Sequence, residues 1–297
     1  MRAKAAVPVN GVPLVRRVMS WLVSEGVADL VINLHHRPAS IAAVVGDGHD
    51  LGARVRYSWE HPVLGSAGGP RHALPLLVDG SAASFVIANG DTLTDLRVCD
   101  LIDRHERSGA RVTMALIPNP RPEVYGGVRV EDGWITGFTR PGTPEPSYHF
   151  IGVQAVQADV LGSLEDGVPA ESVNWLYPRL IRESPRALAA FVVDAPFSDI
   201  GTPADYLQTS VDLARREGDR LVSGVRTDVH PSATLQRTAV WEGVTIGADA
   251  RLEDCIVCDG VRVRAGTSYR RCALVPFVGQ PVAPDEHRDG DLVVRRF

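Results

Sequence analysis

Long apolar runs are scarce in this sequence, and their scarcity is the first constraint on its setting. No stretch approaches the ~20 residues that a helix needs to cross a bilayer. The opening Met1-Arg2-Ala3-Lys4-Ala5-Ala6-Val7-Pro8 also lacks the apolar centre of a secretory signal. A soluble, cytoplasmic protein without a membrane partner is expected. Cysteine is sparse as well, with four in 297 residues: Cys99, Cys255, Cys258 and Cys272. Only Cys255-Ile256-Val257-Cys258 has a spacing that suits metal or redox work, and the second close pair or histidine pair that zinc would want does not follow. These cysteines read as small strand residues. Blocks of like charge are missing too. Lys plus Arg number 31 against 36 Asp plus Glu, a net charge of −5, which is a poor electrostatic footprint for nucleic acid. No nucleic-acid partner is expected.

What the chain has is apolar periodicity. Its 44% hydrophobic content is enough for one large domain and a smaller appendage. Leu14, Val18 and Leu22, with Val15 and Met19, mark one face of a helix over 13–25, which Gly26 stops. Ala28 to Leu34 reads as a buried strand, followed by a helix over 38–45 and a strand over 53–59. Helix and strand keep alternating: helix 70–77, strand 84–88, helix 98–107, strand 112–117. The fold class expected from this alternation is α/β, a doubly wound, mostly parallel sheet with ligands at the carboxyl ends of its strands. A hairpin, Val128-Arg129-Val130 turning through Asp132-Gly133 into Trp134-Ile135-Thr136, interrupts it. A helix over 173–182, a strand over 189–193 and a helix opened by Thr202, Pro203 and Asp205 close the domain near residue 217. The polar stretch 218–228 reads as a linker.

From residue 229 to the end the sequence repeats. Val229 to Leu235, Ile246 to Leu252 and Val263 to Tyr269 begin 17 residues apart and align column by column. Val240, Val257 and Leu274 coincide, as do Val244, Val261 and Val278, and Gly243 matches Gly260. Apolar residues at six-residue steps in coils of three such steps suit a short left-handed β-helix. So short a solenoid needs something to pack on, and an open end after Phe277 would suit a homo-oligomer.

Three loops follow strands and carry groups with chemistry. Asn89-Gly90-Asp91 places a carboxylate at the sheet's carboxyl edge, where it could hold Mg²⁺ or simply make a turn. Asp199 lies between a strand and a capped helix, another ligand-facing position. The loop Glu60-His61-Pro62-Val63-Leu64-Gly65-Ser66-Ala67-Gly68-Gly69 has glycines that let backbone approach a flat ligand, and no Lys-Ser/Thr ending, so it is no P-loop. It reads either as a base-binding loop or as a plain connection. His35-His36 reads as a solvated loop and Trp241 as a packing residue of the repeat.

The order of these motifs resembles the sugar-1-phosphate nucleotidylyltransferases from Lys4 to about Leu213. The pieces that carry it are Lys4 to Leu14, Glu60 to Gly69, Asn89-Gly90-Asp91, Tyr125-Gly126-Gly127-Val128, Phe138-Thr139-Arg140-Pro141, His149 to Val153 and Asp199-Ile200-Gly201-Thr202-Pro203. With its repeat, the chain looks most like the mannose-1-phosphate guanylyltransferases and their glucose-1-phosphate relatives. The resemblance implies condensation of a nucleoside triphosphate with a sugar 1-phosphate, giving a nucleotide sugar and pyrophosphate, with Mg²⁺ as cofactor. By the same resemblance Asp91 and Asp199 are the metal ligands and Lys4 contacts phosphate. Glu60, Gly65, Ser66, Ala67, Asn89 and Gly90 lie on the nucleotide, and Gly126, Arg140 and Gly152 on the sugar phosphate. Arg140 stands where the family has a lysine, and Thr139 where it has a carboxylate. His149 to Gly152 departs from the family's Asn-containing segment.

In that family the chain opens with a strand and a glycine-rich loop carrying a Thr-Arg pair, whereas here Met1 falls just before Lys4. The expectation is a nucleotidyltransferase domain over 1–217 that is N-terminally incomplete, its start lying upstream and the edges of its neighbouring strands exposed. A catalytically silent subunit that binds sugar nucleotides is the alternative. An acyltransferase of the β-helix type is disfavoured, because three coils supply no well-placed histidine beyond His230.

Overall fold

The computed structural model describes residues 2–78, 84–222 and 224–297. Two compact units divide the chain: Val15–Phe197, and Met1–Leu14 together with Ser198–Phe297.

Within Val15–Phe197 the central strand is Val112–Pro118, whose residues are buried from Val112 to Ile117. A continuous apolar run of this kind belongs to a strand covered on both faces. Alternate side chains part accordingly: Val112, Met114 and Leu116 join one core with Val160, Leu161, Leu176, Tyr177 and Leu180, while Ala115 and Ile117 join another with Leu96, Leu101 and Ile151. The helices Ala158–Gly162 and Tyr177–Glu183 therefore cover one face and Val98–Ser108 the other.

This sheet has six strands in the order Ser84–Ala88, Tyr148–Gln157, Val112–Pro118, Leu188–Val192, Trp134–Thr139, Gly127–Glu131. The expectation of a mostly parallel sheet is corrected here. Val112–Pro118 and Leu188–Val192 run parallel, but Tyr148–Gln157 lies antiparallel to both of its neighbours, and Trp134–Thr139 is antiparallel to Leu188–Val192. The cause is the ten-residue strand Tyr148–Gln157, which returns between two others. A second, two-stranded parallel sheet pairs Asp29–Leu34 with Arg54–Trp59. Among the described residues, Asp29–Leu34 and Ser84–Ala88 each pair along one edge only, and all five residues of Ser84–Ala88 remain half-buried.

Helix Gly65–Leu77 begins five residues before the expected start at Pro70. Its glycine-rich first turn has poor intrinsic propensity, but the amides of Ala67 and Gly68 both donate to the Ala170 carbonyl at 2.9 and 3.1 Å, so a tertiary contact fixes the turn. Helix Pro203–Glu217 starts as expected, Thr202 and Asp205 forming a reciprocal capping box.

In the other unit the repeat becomes stacked parallel strands. Thr234–Gln236 pairs with Arg251–Val257, and that strand with Ser268–Pro276; Asp228–Val229, Thr245–Ile246 and Arg262–Val263 stack the same way. Each partner lies 17 residues on, and the corners repeat too, with Arg237, Asp254 and Arg271 all at positive φ of 45–52°. Val240, Val244, Ile246, Leu252, Val257, Val261, Val263 and Leu274 fill the interior. Cys255 and Cys272 face each other there with sulfurs 3.8 Å apart, and burial pushes the Cys258 thiol up to about 12, which keeps it protonated.

The stretch read as a linker is bonded into this stack. Val240 N–H donates to Leu221 O at 2.7 Å and Gly243 N–H to Val225 O at 2.9 Å, while Ser223 lies outside the described residues. The buried Asn10, in the turn of the hairpin Pro8–Val9/Val12–Pro13, ties that hairpin to it, its amide donating to Gly218 O and its carbonyl oxygen accepting from Arg220 N–H at 2.9 Å. Trp241 Nε1 donates to the Tyr206 hydroxyl at 2.8 Å.

The open end expected after Phe277 is also corrected. Leu292–Arg296, which forms a terminal hairpin with Glu286–Asp289, pairs antiparallel with Ser268–Pro276 and carries Leu292 and Val294 into the core, so the last coil is capped. The signal was weak because a five-residue strand reached through a loop leaves no period. Truncation after Pro276 would uncover an apolar strand edge. The shortened protein is expected to self-associate in size-exclusion chromatography while the intact chain does not gain mass through this edge; identical elution would refute the capping role. Asn10→Ala removes the side-chain partner of the Gly218 carbonyl and the Arg220 N–H at a left-handed φ of 46° and should lower unfolding free energy by about 1–2 kcal/mol, read from the urea midpoint.

Candidate active site

Apart from Lys4 and Asp199, the residues proposed from the sequence fall into three groups within Val15–Phe197. The first surrounds Gly152. Between Phe150 and Gln154 the strand Tyr148–Gln157 slips register against Val112–Pro118, and Gly152 sits in this bulge at φ 79°. Its carbonyl accepts the Asn89 N–H at 2.8 Å, and a Cβ there would lie 2.7 Å from Asn89 Nδ2. Bulge and loop are thus seated on one another, which sets where exposed Asn89 and Gly90 and half-buried Asp91 leave the sheet.

The second group is the loop that ends strand Arg54–Trp59. Glu60 is buried, its carboxylate accepting the Leu64 N–H and the Asn33 side-chain amide. A carboxylate bonded in this way fixes the path of the loop toward Gly65. Gly65 itself has φ 79°. Ser66 donates its hydroxyl to Glu171 Oε2 at 2.6 Å and accepts the Ser172 N–H at 2.9 Å. Ala67 is buried, its amide on Ala170. Glu171 and Asn33 had escaped the sequence reading: more than 100 residues separate Ser66 from Glu171, and no local pattern links them.

The third group lies at one end of the hairpin Gly127–Glu131/Trp134–Thr139. Gly126 and exposed Arg140 follow directly on the terminal pair Gly127↔Thr139. A Cβ on Gly126 would stand 3.0 Å from Thr139 O. Beside them His149 packs on Tyr125 with centroids 4.3 Å apart and edge-on to Phe197 at 4.9 Å. Arg121 joins this cluster, its guanidinium 4.8 Å from the Tyr125 ring centre. Burial lowers the His149 pKa against the opposing effect of the Gly126 backbone, and Arg121 lowers it further. The imidazole is therefore neutral near pH 7, presenting a flat and only weakly polar surface beside Gly126.

Lys4 and Asp199 belong to the other unit. Lys4 is exposed in the turn Lys4–Ala6, and Asp199 is half-buried ahead of the Thr202 cap. Among the described residues no group of three or more His, Cys, Asp or Glu side chains is arranged to hold a metal ion. Mg²⁺ that shares its shell with substrate phosphates requires only one or two carboxylates.

The nucleotidyl transferase family model matches residues 1–216. A mannose-1-phosphate guanylyltransferase of Mycobacterium tuberculosis is 27% identical over 281 residues, covering 90% of this chain and 77% of that protein. A probable mannose-1-phosphate guanylyltransferase 2 of Oryza sativa subsp. japonica is 29% identical over 273 residues, covering 87% and 73%. Among solved structures, HddC from Yersinia pseudotuberculosis complexed with GMP-PN superposes with a TM-score of 0.62 at 20% identity, over 71% of this chain and 89% of that one, which shows a shared fold. The match over residues 1–216 places the chain among the nucleotidyl transferases. The chain belongs to the sugar-1-phosphate nucleotidylyltransferase family.

Two outcomes follow from the geometry. Gly152→Ala forces a side chain at positive φ against Asn89 and is expected to lower the melting temperature and weaken substrate binding together; an unchanged melt and unchanged affinity would contradict the seating of the loop on the bulge. Because the folded pKa of His149 is depressed, its contribution to stability is complete above the unfolded value and is lost as pH falls through the folded one. Replacing His149 with Phe should flatten the fall in urea midpoint on acidification below ~6.5, the ordinary histidine value, and a slope as steep as before would show that the imidazole does not titrate in this way.

Proposed function

We propose that this protein condenses GTP with mannose 1-phosphate to give GDP-mannose and pyrophosphate, in the cytoplasm and with Mg²⁺. The observation that carries this reading is that relatives named mannose-1-phosphate guanylyltransferase match about nine-tenths of the chain. In the reaction an oxygen of the sugar phosphate attacks the α-phosphorus of the triphosphate in line, and pyrophosphate leaves. No covalent enzyme intermediate is required.

The work of the side chains is positioning and charge neutralisation. Asp91 and Asp199 would hold Mg²⁺, whose chemistry is to offset charge on the phosphates. Lys4 places a cation on the phosphates, and Arg140 takes the sugar phosphate with a planar fork that can bind two oxygens. Gly65, Ser66 and Ala67 lie against the base, Asn89 and Gly90 beside the nucleotide, and Gly126 and Gly152 line the sugar side where a side chain would intrude. The C-terminal stack, read as a left-handed β-helix of three coils, serves as a scaffold that is closed by its own terminal hairpin.

Pyrophosphate release by the full natural chain tests the reading. Asp91→Asn and Asp199→Asn should each reduce turnover by about 100-fold or more, the scale of losing one electrostatic contact in a phosphoryl-type transfer. Turnover with GTP and mannose 1-phosphate should exceed that with UTP and glucose 1-phosphate. Full activity in either aspartate variant would remove that residue from the metal site, and a preference for the uridine pair would overturn the assigned substrates.

A further inference from the structure

Glu171 lies in no motif of the sequence and meets the Gly65 loop only in the folded chain. Its backbone opens an unusual turn: the Leu176 N–H donates to the Glu171 carbonyl at 3.0 Å, five residues back, and Ser172–Leu176 forms a π-helical turn. Such turns are rare and concentrate at functional sites. The segment before it is fastened to the loop, with Ala170 N–H donating to Leu64 O at 2.8 Å and Ala170 O accepting from Ala67 and Gly68. Glu171 is therefore held over Gly65 and Ser66 by backbone bonds rather than by its own side chain.

The side chain is exposed, and its carboxylate is oriented. Oε2 accepts the Ser66 hydroxyl, and Oε1 lies 2.6 Å from the position a Cβ on Gly65 would occupy. The Gly65 backbone and the carboxylate thus come together where any other residue would keep them apart. A carboxylate has about four lone-pair positions, and the Ser66 hydroxyl takes one. Among the described residues no second donor takes the others, which can accept two donors side by side.

We propose that Glu171 selects the base of the nucleotide, accepting from the N1–H and 2-amino group of guanine. Guanine offers two adjacent donors on that edge. Adenine sets an acceptor against the carboxylate, and uracil offers one donor flanked by two carbonyls. Ser66 is the positioning residue, its hydroxyl fixing the rotation of the carboxylate, and Gly65 is the residue whose lack of a side chain lets base and carboxylate meet. The inference rests on the reading of Gly65, Ser66 and Ala67 as the loop against the base.

Equilibrium binding of GTP, ITP and ATP to the full natural chain with Mg²⁺ tests it, because ITP lacks the 2-amino donor. The wild type should bind GTP about tenfold more tightly than ITP, the scale of one hydrogen bond to a charged acceptor. Glu171→Gln should bring that ratio to within about threefold, mainly by weakening GTP. It should also improve ATP relative to GTP, since the amide can donate to adenine N1. Glu171→Asp, which keeps the charge but withdraws it, should give an intermediate ratio. A merely structural glutamate would change all three affinities alike and leave the ratios unmoved. Equal binding of GTP and ITP by the wild type, or an unchanged ratio in Glu171→Gln, overturns the assignment of Glu171 alone. Gly65→Ala separates the underlying reading: undiminished affinity for every nucleotide in that variant, or no nucleotide binding by the wild type, overturns the placement of the base.

Discussion

The bulged strand Tyr148–Gln157 is the constraint on which the unit Val15–Phe197 depends. It is paired on both edges, with Ser84–Ala88 on one side and Val112–Pro118 on the other, and it also touches Val128 of the hairpin. Its side chains enter both cores, Val156 on one face and Ile151, Val153 and Ala155 on the other. A strand so placed cannot shift without unseating two hydrophobic layers. Its register slip at Gly152 is for that reason a fixed feature, and the Asn89 loop inherits its position from it.

The same logic runs through the other loops. Glu60 and Asn33 set the approach to Gly65, and the segment from Ala170 to Ser172 locks the first turn of helix Gly65–Leu77. Pro70 and Pro75 lie inside that helix and weaken it locally, so its start depends on these outside bonds. The backbone of this turn is fixed because its amides are bonded to another segment, leaving side chains such as Ser66 and Glu171 exposed. Preorganisation of this sort is what a transfer reaction without a covalent intermediate requires of its protein.

In the unit that joins Met1–Leu14 with Ser198–Phe297, stability comes from repetition. Each coil buries the same columns as the one before, and the corners at Arg237, Asp254 and Arg271 adopt the same left-handed backbone despite carrying side chains. Arg237 reaches Asp254 on the next coil at 2.7 Å, tying the corners to each other. The terminal hairpin then protects the last edge, and with it goes the argument that an uncovered coil would drive self-association.

The sequence by itself determined the local elements and the chemistry of the loops. Helical and strand periods survive in a single chain because each is written in neighbours three, four or two residues apart, and the 17-residue repeat is legible for the same reason. Asp91 and Asp199 stood out because each lies where a strand ends, and Gly126 and Gly152 only through the family resemblance. Tertiary structure alone decided the antiparallel return of Tyr148–Gln157, the early start of helix Gly65–Leu77, the cap over the last coil and the place of Glu171 beside Ser66. Each of those rests on partners far apart in the chain, such as Ala67 with Ala170 or Leu274 with Val294. Pairings at that range depend on how whole layers pack, and no periodicity within a segment encodes them.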